Sequence, residues 1–89
     1  MKTHKLKTWP EYFDAVDIGS KRFEIRKDDR GFKPLDILIL KEWRPETEEY
    51  SGHSIRARVD YVLRGGKFGI EKGYVAMSIT VIGRHIKIE

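Results

Sequence analysis

Apolar residues recur along the chain with a period that changes more than once, and each change marks an element. A polar and apolar alternation from His4 to Thr8, centred on Leu6, predicts a short first strand. Trp9, Phe13 and Val16 then recur at helical spacing, with Tyr12 and Ala15 beside them, so a helix is expected over about 9–18. Thr8-Trp9-Pro10-Glu11 matches a capping box, in which the Thr8 hydroxyl and the Glu11 carboxylate satisfy the first free amides. Pro10 fits the opening turn and Gly19 a left-handed stop. From Lys21 the period is two: Phe23 and Ile25 share one face, and Arg22, Glu24 and Arg26 the other. This is a half-buried strand, with the apolar face expected to point inward.

A polar turn covers 28–34, after which Ile37-Leu38-Ile39-Leu40 is apolar on both faces, as in a central strand enclosed on both sides. That strand is expected to end near Trp43 and 45–52 to form a hairpin loop. Ile55, Ala57, Val59, Tyr61 and Leu63 next alternate with Arg56, Arg58, Asp60 and Arg64, which predicts one long strand with an arginine-rich polar face. Gly65-Gly66 breaks it, and Gly69 and Gly73 bracket a short loop or single helical turn. Tyr74 to Ile82 resumes strand character with Val75, Met77, Ile79 and Val81 in phase, and 84–88 reads as a final edge strand. The fold class is therefore α+β, mostly β: five to six short strands, with one short helix after the first, curled into a small pseudo-barrel that hides its edges by closing on itself.

At 89 residues, with no internal repeat or Pro-rich linker, 1–89 reads as a single domain, because two cores of half this size would each need a staple. The absence of cysteine removes disulfides, thiolate zinc sites and a Cys nucleophile, and it fits a reducing compartment. No apolar run approaches the roughly 20 residues of a membrane helix, and the first seven residues lack the apolar stretch of a signal peptide. A cytoplasmic location away from the membrane is the expectation.

A net charge of +4 mildly favours polyanionic partners, and its arrangement says more than its total. Lys21, Arg22, Arg26, Lys27, Arg30 and Lys33 stand against Glu24, Asp28 and Asp29 in 21–33, and Arg56, Arg58, Arg64 and Lys67 against Asp60 alone in 53–67. Glu42, Glu46, Glu48 and Glu49 concentrate the acidic charge in one loop.

Gly19-Ser20-Lys21-Arg22-Phe23-Glu24-Ile25-Arg26 fits G-x-K-x-x-E-x-R. That pattern, following a short helix and opening a strand, resembles the signature of ASCH domains, relatives of the PUA fold. Further likeness to a compact bacterial and phage subgroup lies in His4-Lys5-Leu6-Lys7, Phe23 to Lys27, Asp29-Arg30, Glu42-Trp43, Ser51-Gly52 and Gly73-Tyr74-Val75. Asp28, Leu35 and Ser51 depart from that subgroup, which more often has Asn, Gly and Thr there. The resemblance implies a domain that binds RNA or a modified nucleotide in a cleft between barrel and helix, lined by the signature side chains. It also implies an enzymatic alternative, since some similar proteins hydrolyse N4-acylated cytidines with a Lys, a Thr and a Glu. Their Thr lies three residues beyond the signature Lys; here that position is Glu24, and the hydroxyl is missing.

From the residues themselves, three roles fit Lys21, Glu24 and Arg26. They form a solvated ion-pair row worth at most about 1 kcal/mol per exposed pair; or they hold a nucleotide, with Lys21 and Arg26 on a phosphate or base carbonyl and Glu24 accepting from an exocyclic amine; or Lys21 and Glu24 are the catalytic groups of a small hydrolase or nuclease. Arg30, with Asp29, either ties down the turn after the strand or adds positive charge beside the site, and Arg56 and Arg58, two apart on one face, either continue a phosphate track with Arg64 or form a solvated outer face. Trp43 and Tyr74 either stack a base or, as such residues more often do, cap the core. His4, His53 and His85 are scattered without ligand spacing, so neither metal nor cofactor is expected. The H-x-E zinc-deaminase, G-x-S-x-G and P-loop motifs are absent. A protein-interaction module working through the acidic 42–49 loop is the remaining alternative. By strand parity Lys21 falls on the face opposite Glu24 and Arg26, so the three converge only if the chain bends after Gly19-Ser20.

Overall fold

The computed structural model describes residues 1–87. The elements run β1 (Thr3–Thr8), α1 (Pro10–Asp17), β2 (Phe23–Lys27), β3 (Ile37–Arg44), β4 (Glu49–Arg64) and β5 (Tyr74–His85). They form one five-stranded sheet in the order β1-β3-β4-β5-β2, with β1 parallel to β3 and every other pair antiparallel. The mostly β architecture with one helix after the first strand is as expected. Among the described residues there are five strands: β5 runs through His85 and absorbs the start of the edge strand anticipated at 84–88, and residue 88 lies outside the described residues.

The core is built by alternation. His4, Leu6 and Thr8 are buried on β1 while Lys5 and Lys7 are exposed; Ile55, Ala57 and Val59 on β4 and Val75, Met77 and Ile79 on β5 complete the same inner face. Leu38 and Leu40 of β3 are fully buried within it. From the helix, Phe13 and Val16 pack onto this face, and Phe32 joins it from the connection before β3. The hairpin turn between β3 and β4 is only 45–48, shorter than expected, so β4 is 16 residues long. It stays curled because its register with β5 shifts twice, between Arg56 and Ala57 and between Val59 and Tyr61.

The sheet does not close by backbone pairing. β1 and β2, neighbours in sequence, are its two edges, and side chains bridge them: Arg26 Nη2 donates to the Lys7 carbonyl at 3.1 Å and Arg30 Nη1 to the Lys5 carbonyl at 2.9 Å. In a parallel pair alternate residues of a strand present their peptide groups to the same side. The two arginines thus cap successive carbonyls on one edge of β1, a curled half-barrel sealed by guanidinium groups.

Below the seam, the start of β1 is tied to the loop before β3. Buried Asp36 accepts from His4 Nε2 at 2.9 Å and from the amides of Lys2 at 2.9 Å and Lys33 at 3.0 Å. Burial pushes the Asp36 carboxyl up, but the His4 hydrogen bond, the two amides and the His4 charge together hold it below its ordinary value.

Candidate functional site

The segment between α1 and β2 is bent by the end of the helix. Gly19 takes a positive φ of 82°, and the Ala15 carbonyl accepts from the Lys21 amide at 3.0 Å and the Ser20 hydroxyl at 3.2 Å. β2 begins only at Phe23. Lys21 is therefore not bound by strand parity, and the bend that convergence requires is present.

β2 itself is turned the other way from its hydrophobic pattern. Glu24 pairs with Met77 and Arg26 with Val75, both core residues, while Phe23 and Ile25 pair with Ser78 and Ala76. Directly opposed residues share a face, so the charged side chains point inward and Phe23 and Ile25 point outward, 48% and 53% exposed. This corrects the inward placement of Phe23 and Ile25. The cause is the position of β2 at the sheet edge: its inner face meets the polar seam with β1 rather than the packed centre.

Glu24, only 2% exposed, is the pivot of that seam. Its Oε1 accepts from Arg26 Nε at 3.1 Å and Nη2 at 2.8 Å, and its Oε2 accepts from Lys21 Nζ. Lys21 Nζ also donates to the Phe23 carbonyl at 2.7 Å, and Arg26 Nη2 reaches the Thr8 hydroxyl at 3.3 Å. Two cations around one carboxylate leave the cluster with a net positive charge.

The cluster forms one wall of a cleft of about 440 Å³, within the size range of small-ligand sites. Lys7, Thr8, Trp9 and Tyr12 continue the lining, and Phe23 and Ile25 of β2 complete it. The Trp9 and Tyr12 rings stack with centroids 6.4 Å apart and planes at 26°, each about half exposed. The expected capping box does not form. Trp9 is the N-cap and has no side-chain cap bond, because Thr8 belongs to β1 and its hydroxyl turns to Arg26 and the Leu6 carbonyl.

Lys21, Glu24 and Arg26 are thus brought together, and Arg30 lies beside them in an adjoining hollow that it shares with Arg26. Arg56, Arg58, Trp43 and Tyr74 do not line the cleft. Arg56 and Arg58 stand on the outer face of β4, the latter paired with Asp60 at 2.8 Å. Trp43 lies under the Lys7 ammonium, 4.5 Å from the ring centroid, and Tyr74 pairs with Lys27 at the far end of β2. Glu46 and Glu48 project from the β3–β4 turn.

Sequence reasoning missed Lys7, Thr8, Trp9 and Tyr12 as cleft residues, and also Phe23 and Ile25, which it had turned to the core. The sequence pattern pointed elsewhere, since Trp9 falls in phase with Phe13 and Val16; it is exposed because it is the N-cap and lies outside the helix proper. Among the described residues, no group of three or more His, Asp or Glu is placed to hold a metal ion, and no helix is long and apolar enough to cross a membrane.

Part of the chain is similar to a protein of Escherichia phage P2 described as "Uncharacterized 12.9 kDa protein in GpA 3'region". The two are 41% identical over 58 residues, which cover 65% of this chain and 51% of the phage protein. The match thus spans about half the length of that relative. A family model described as "Domain of unknown function (DUF3850)" matches residues 3–79, from the first strand to the middle of β5 and across the whole cleft. By that match the chain belongs to the DUF3850 family.

Proposed function

We propose that the chain is a binding module for RNA or a modified nucleotide, an ASCH-like domain of PUA type that takes one base in the cleft between β1, β2 and the start of α1. The observation that carries this reading is the convergence of Lys21, Glu24 and Arg26 on a concave site walled by two aromatic rings. A purely stabilising ion-pair row has no need of a cleft. The exposed Trp9 and Tyr12 offer a face for a base, and such stacking contributes about 1–3 kcal/mol per base. Glu24 Oε2 takes one hydrogen bond and keeps a lone pair for an exocyclic amine. Lys21 Nζ uses two of its three protons, and among the described residues Arg26 Nη1 has no partner, which leaves donors for a base carbonyl or a phosphate.

The test is binding of a labelled random-sequence RNA hexamer and of the four nucleoside 5′-monophosphates. Trp9→Ala should weaken binding by roughly 5- to 150-fold, the equivalent of one lost stack. Arg26→Glu should abolish it. Wild-type affinity in both variants would refute the reading.

A second reading, hydrolysis of an N-acylated nucleoside, is favoured by one observation. The Thr8 hydroxyl stands in this cleft and supplies the group that position 24 lacks. Turnover of N-acylated cytidines by pure protein, lost in Thr8→Val, would establish it; no turnover across the panel retires it.

A further inference from the structure

The cleft has a smaller hollow on each side, and the two cations that clamp Glu24 are the partitions. Lys21 separates the cleft from a hollow of about 260 Å³ whose other charged groups are Arg22 and Arg84. Arg26 separates it from a hollow of about 170 Å³ bordered by Lys27, Asp29 and Arg30. The three depressions therefore adjoin one another through shared residues, the first beside the bend before β2, the second along β2 and the third at its end, aromatic and acceptor-bearing at the centre and basic at the flanks. At the first end hollow Arg84 is neutralised by the Asp17 carboxylate and Lys21 by Glu24, which leaves Arg22 as the cation without an acidic partner among the described residues. At the second, Asp29 stands against three cations. Arg22 is held by its Nε on the Gly19 carbonyl at 2.9 Å, so its terminal nitrogens are presented from a fixed stem. Arg84 is anchored in the same way on the Asp17 carboxylate and carbonyl at 2.6 and 2.9 Å.

We propose that the site takes an internal nucleotide of a single strand, with its base in the central cleft and a backbone phosphate in each flanking hollow. This rests on the reading of the cleft as a nucleotide site and narrows its ligand from free nucleosides to oligonucleotides. Strand β2 alone runs about 13 Å from Phe23 to Lys27 at the rise of an extended chain. Both hollows are reached by a strand of several nucleotides and not by a mononucleotide. An acidic peptide would meet the basic ends equally well, but the stacked rings and the lone pair on Glu24 match a planar base with an exocyclic amine.

The experiment compares a labelled RNA hexamer, the matching DNA hexamer and uncharged nucleosides on the wild-type chain from 50 to 200 mM salt. Two phosphate contacts on a single strand give a log–log slope of about −1.4, or roughly a sevenfold loss of hexamer affinity over that range. Arg22→Ala and Lys27→Ala, both at exposed positions, should each reduce the slope to about −0.7, a loss of only about 2.6-fold. Urea midpoints of the variants confirm that they fold. RNA bound more tightly than DNA places a 2′-hydroxyl contact in the site, and equal binding means that the shared backbone is read; either agrees with the proposal. A hexamer that binds no tighter than a nucleoside, or whose slope ignores both variants, overturns the proposal and leaves the cleft reading standing. Displacement of the hexamer by an oligoglutamate of equal charge, as readily as by unlabelled RNA, also overturns it. If neither hexamer nor nucleoside binds, the nucleotide reading of the cleft fails and this proposal fails with it.

Discussion

Glu24→Gln removes one charge and almost no volume, so it isolates the electrostatics of the seam. In the wild type both carboxylate oxygens accept from cations, Oε1 from Arg26 and Oε2 from Lys21, and the residue is buried. A glutamine has one acceptor oxygen, and its NH₂ must then confront either the ammonium or the guanidinium, a donor against a donor. Breaking a fully buried ion pair costs about 3–5 kcal/mol. The Lys21 and Arg26 side chains keep 19% and 26% of their surface in water, so both can hydrate in part. The expected loss is accordingly about 2–3 kcal/mol. With a urea m-value of about 1 kcal/mol/M for a small domain, the unfolding midpoint should fall by about 2–3 M. Circular dichroism and Trp fluorescence report that transition. The companion variant replaces the cluster as a set: Lys21→Met, Glu24→Leu and Arg26→Met together. Apolar replacement of a whole buried ionic group is often neutral or stabilising, so this chain should lie within about 1.5 kcal/mol of the wild type while showing none of the proposed RNA binding. An unchanged midpoint for Glu24→Gln, or a triple variant as unstable as the single one, would refute the view that the cluster is kept for its chemistry.

Two further tests address the frame that holds the site. A Cβ added at Gly65 would lie 2.0 Å from the Glu71 carbonyl oxygen and 2.8 Å from that of Tyr74, both backbone atoms. Gly65→Ala should therefore cost about 3 kcal/mol or more. Gly66→Ala meets no atom within 4 Å and pays only for its φ of 99°, about 1–2 kcal/mol, and urea midpoints should rank the two in that order. Asp36 supplies a pH dependence. Its carboxyl is held below the ordinary 3.8 in the folded chain, so its stabilisation is complete above pH 3.8 and is lost as pH falls through the lowered value. The midpoint difference between the wild type and Asp36→Asn should hold its full size above pH 3.8 and shrink on acidification below it; a gap that acidification leaves unchanged would show that the carboxylate charge contributes nothing.

Where packing decides, the fold was legible. The alternations in β1, β4 and β5 and the apolar run of β3 marked those strands because one face of each enters a common core, but the two-sided enclosure expected of β3 is not complete: Leu38 and Leu40 join the core while Ile39 on the other face is partly exposed. Errors fell where a hydrogen bond outranks local pattern. Thr8 and Glu11 satisfy the capping-box spacing, yet the Thr8 hydroxyl is engaged by an arginine from another strand 18 residues away. The end of β3 and the start of β4 were set too far apart because Tyr50 to His53 lack alternation; Glu49 and Tyr50 nonetheless pair with Arg44 and Trp43, beyond a register shift that the pattern does not show.

The inverted strand β2 carries the most information. Periodicity reports which residues share a face, but assigning the apolar face inward assumes that the interior beside the strand is apolar. At an edge of an unclosed sheet that assumption fails. β1 offers carbonyls at Lys5 and Lys7 and a hydroxyl at Thr8, so the groups that belong opposite them are donors, and Arg26 and Arg30 are the residues found there. Arg26 also needs a counter-charge, which Glu24 supplies from the same face two residues earlier; Glu24 in turn draws in Lys21 from the bend after the helix. Phe23 and Ile25 are displaced outward by this order of demands. The unpaired seam is thus both the weakness of the half-barrel and the origin of its cleft. A sixth strand that laced β1 to β2 would remove the exposed edges and, with them, the space in which Lys21, Glu24 and Arg26 face Trp9 and Tyr12.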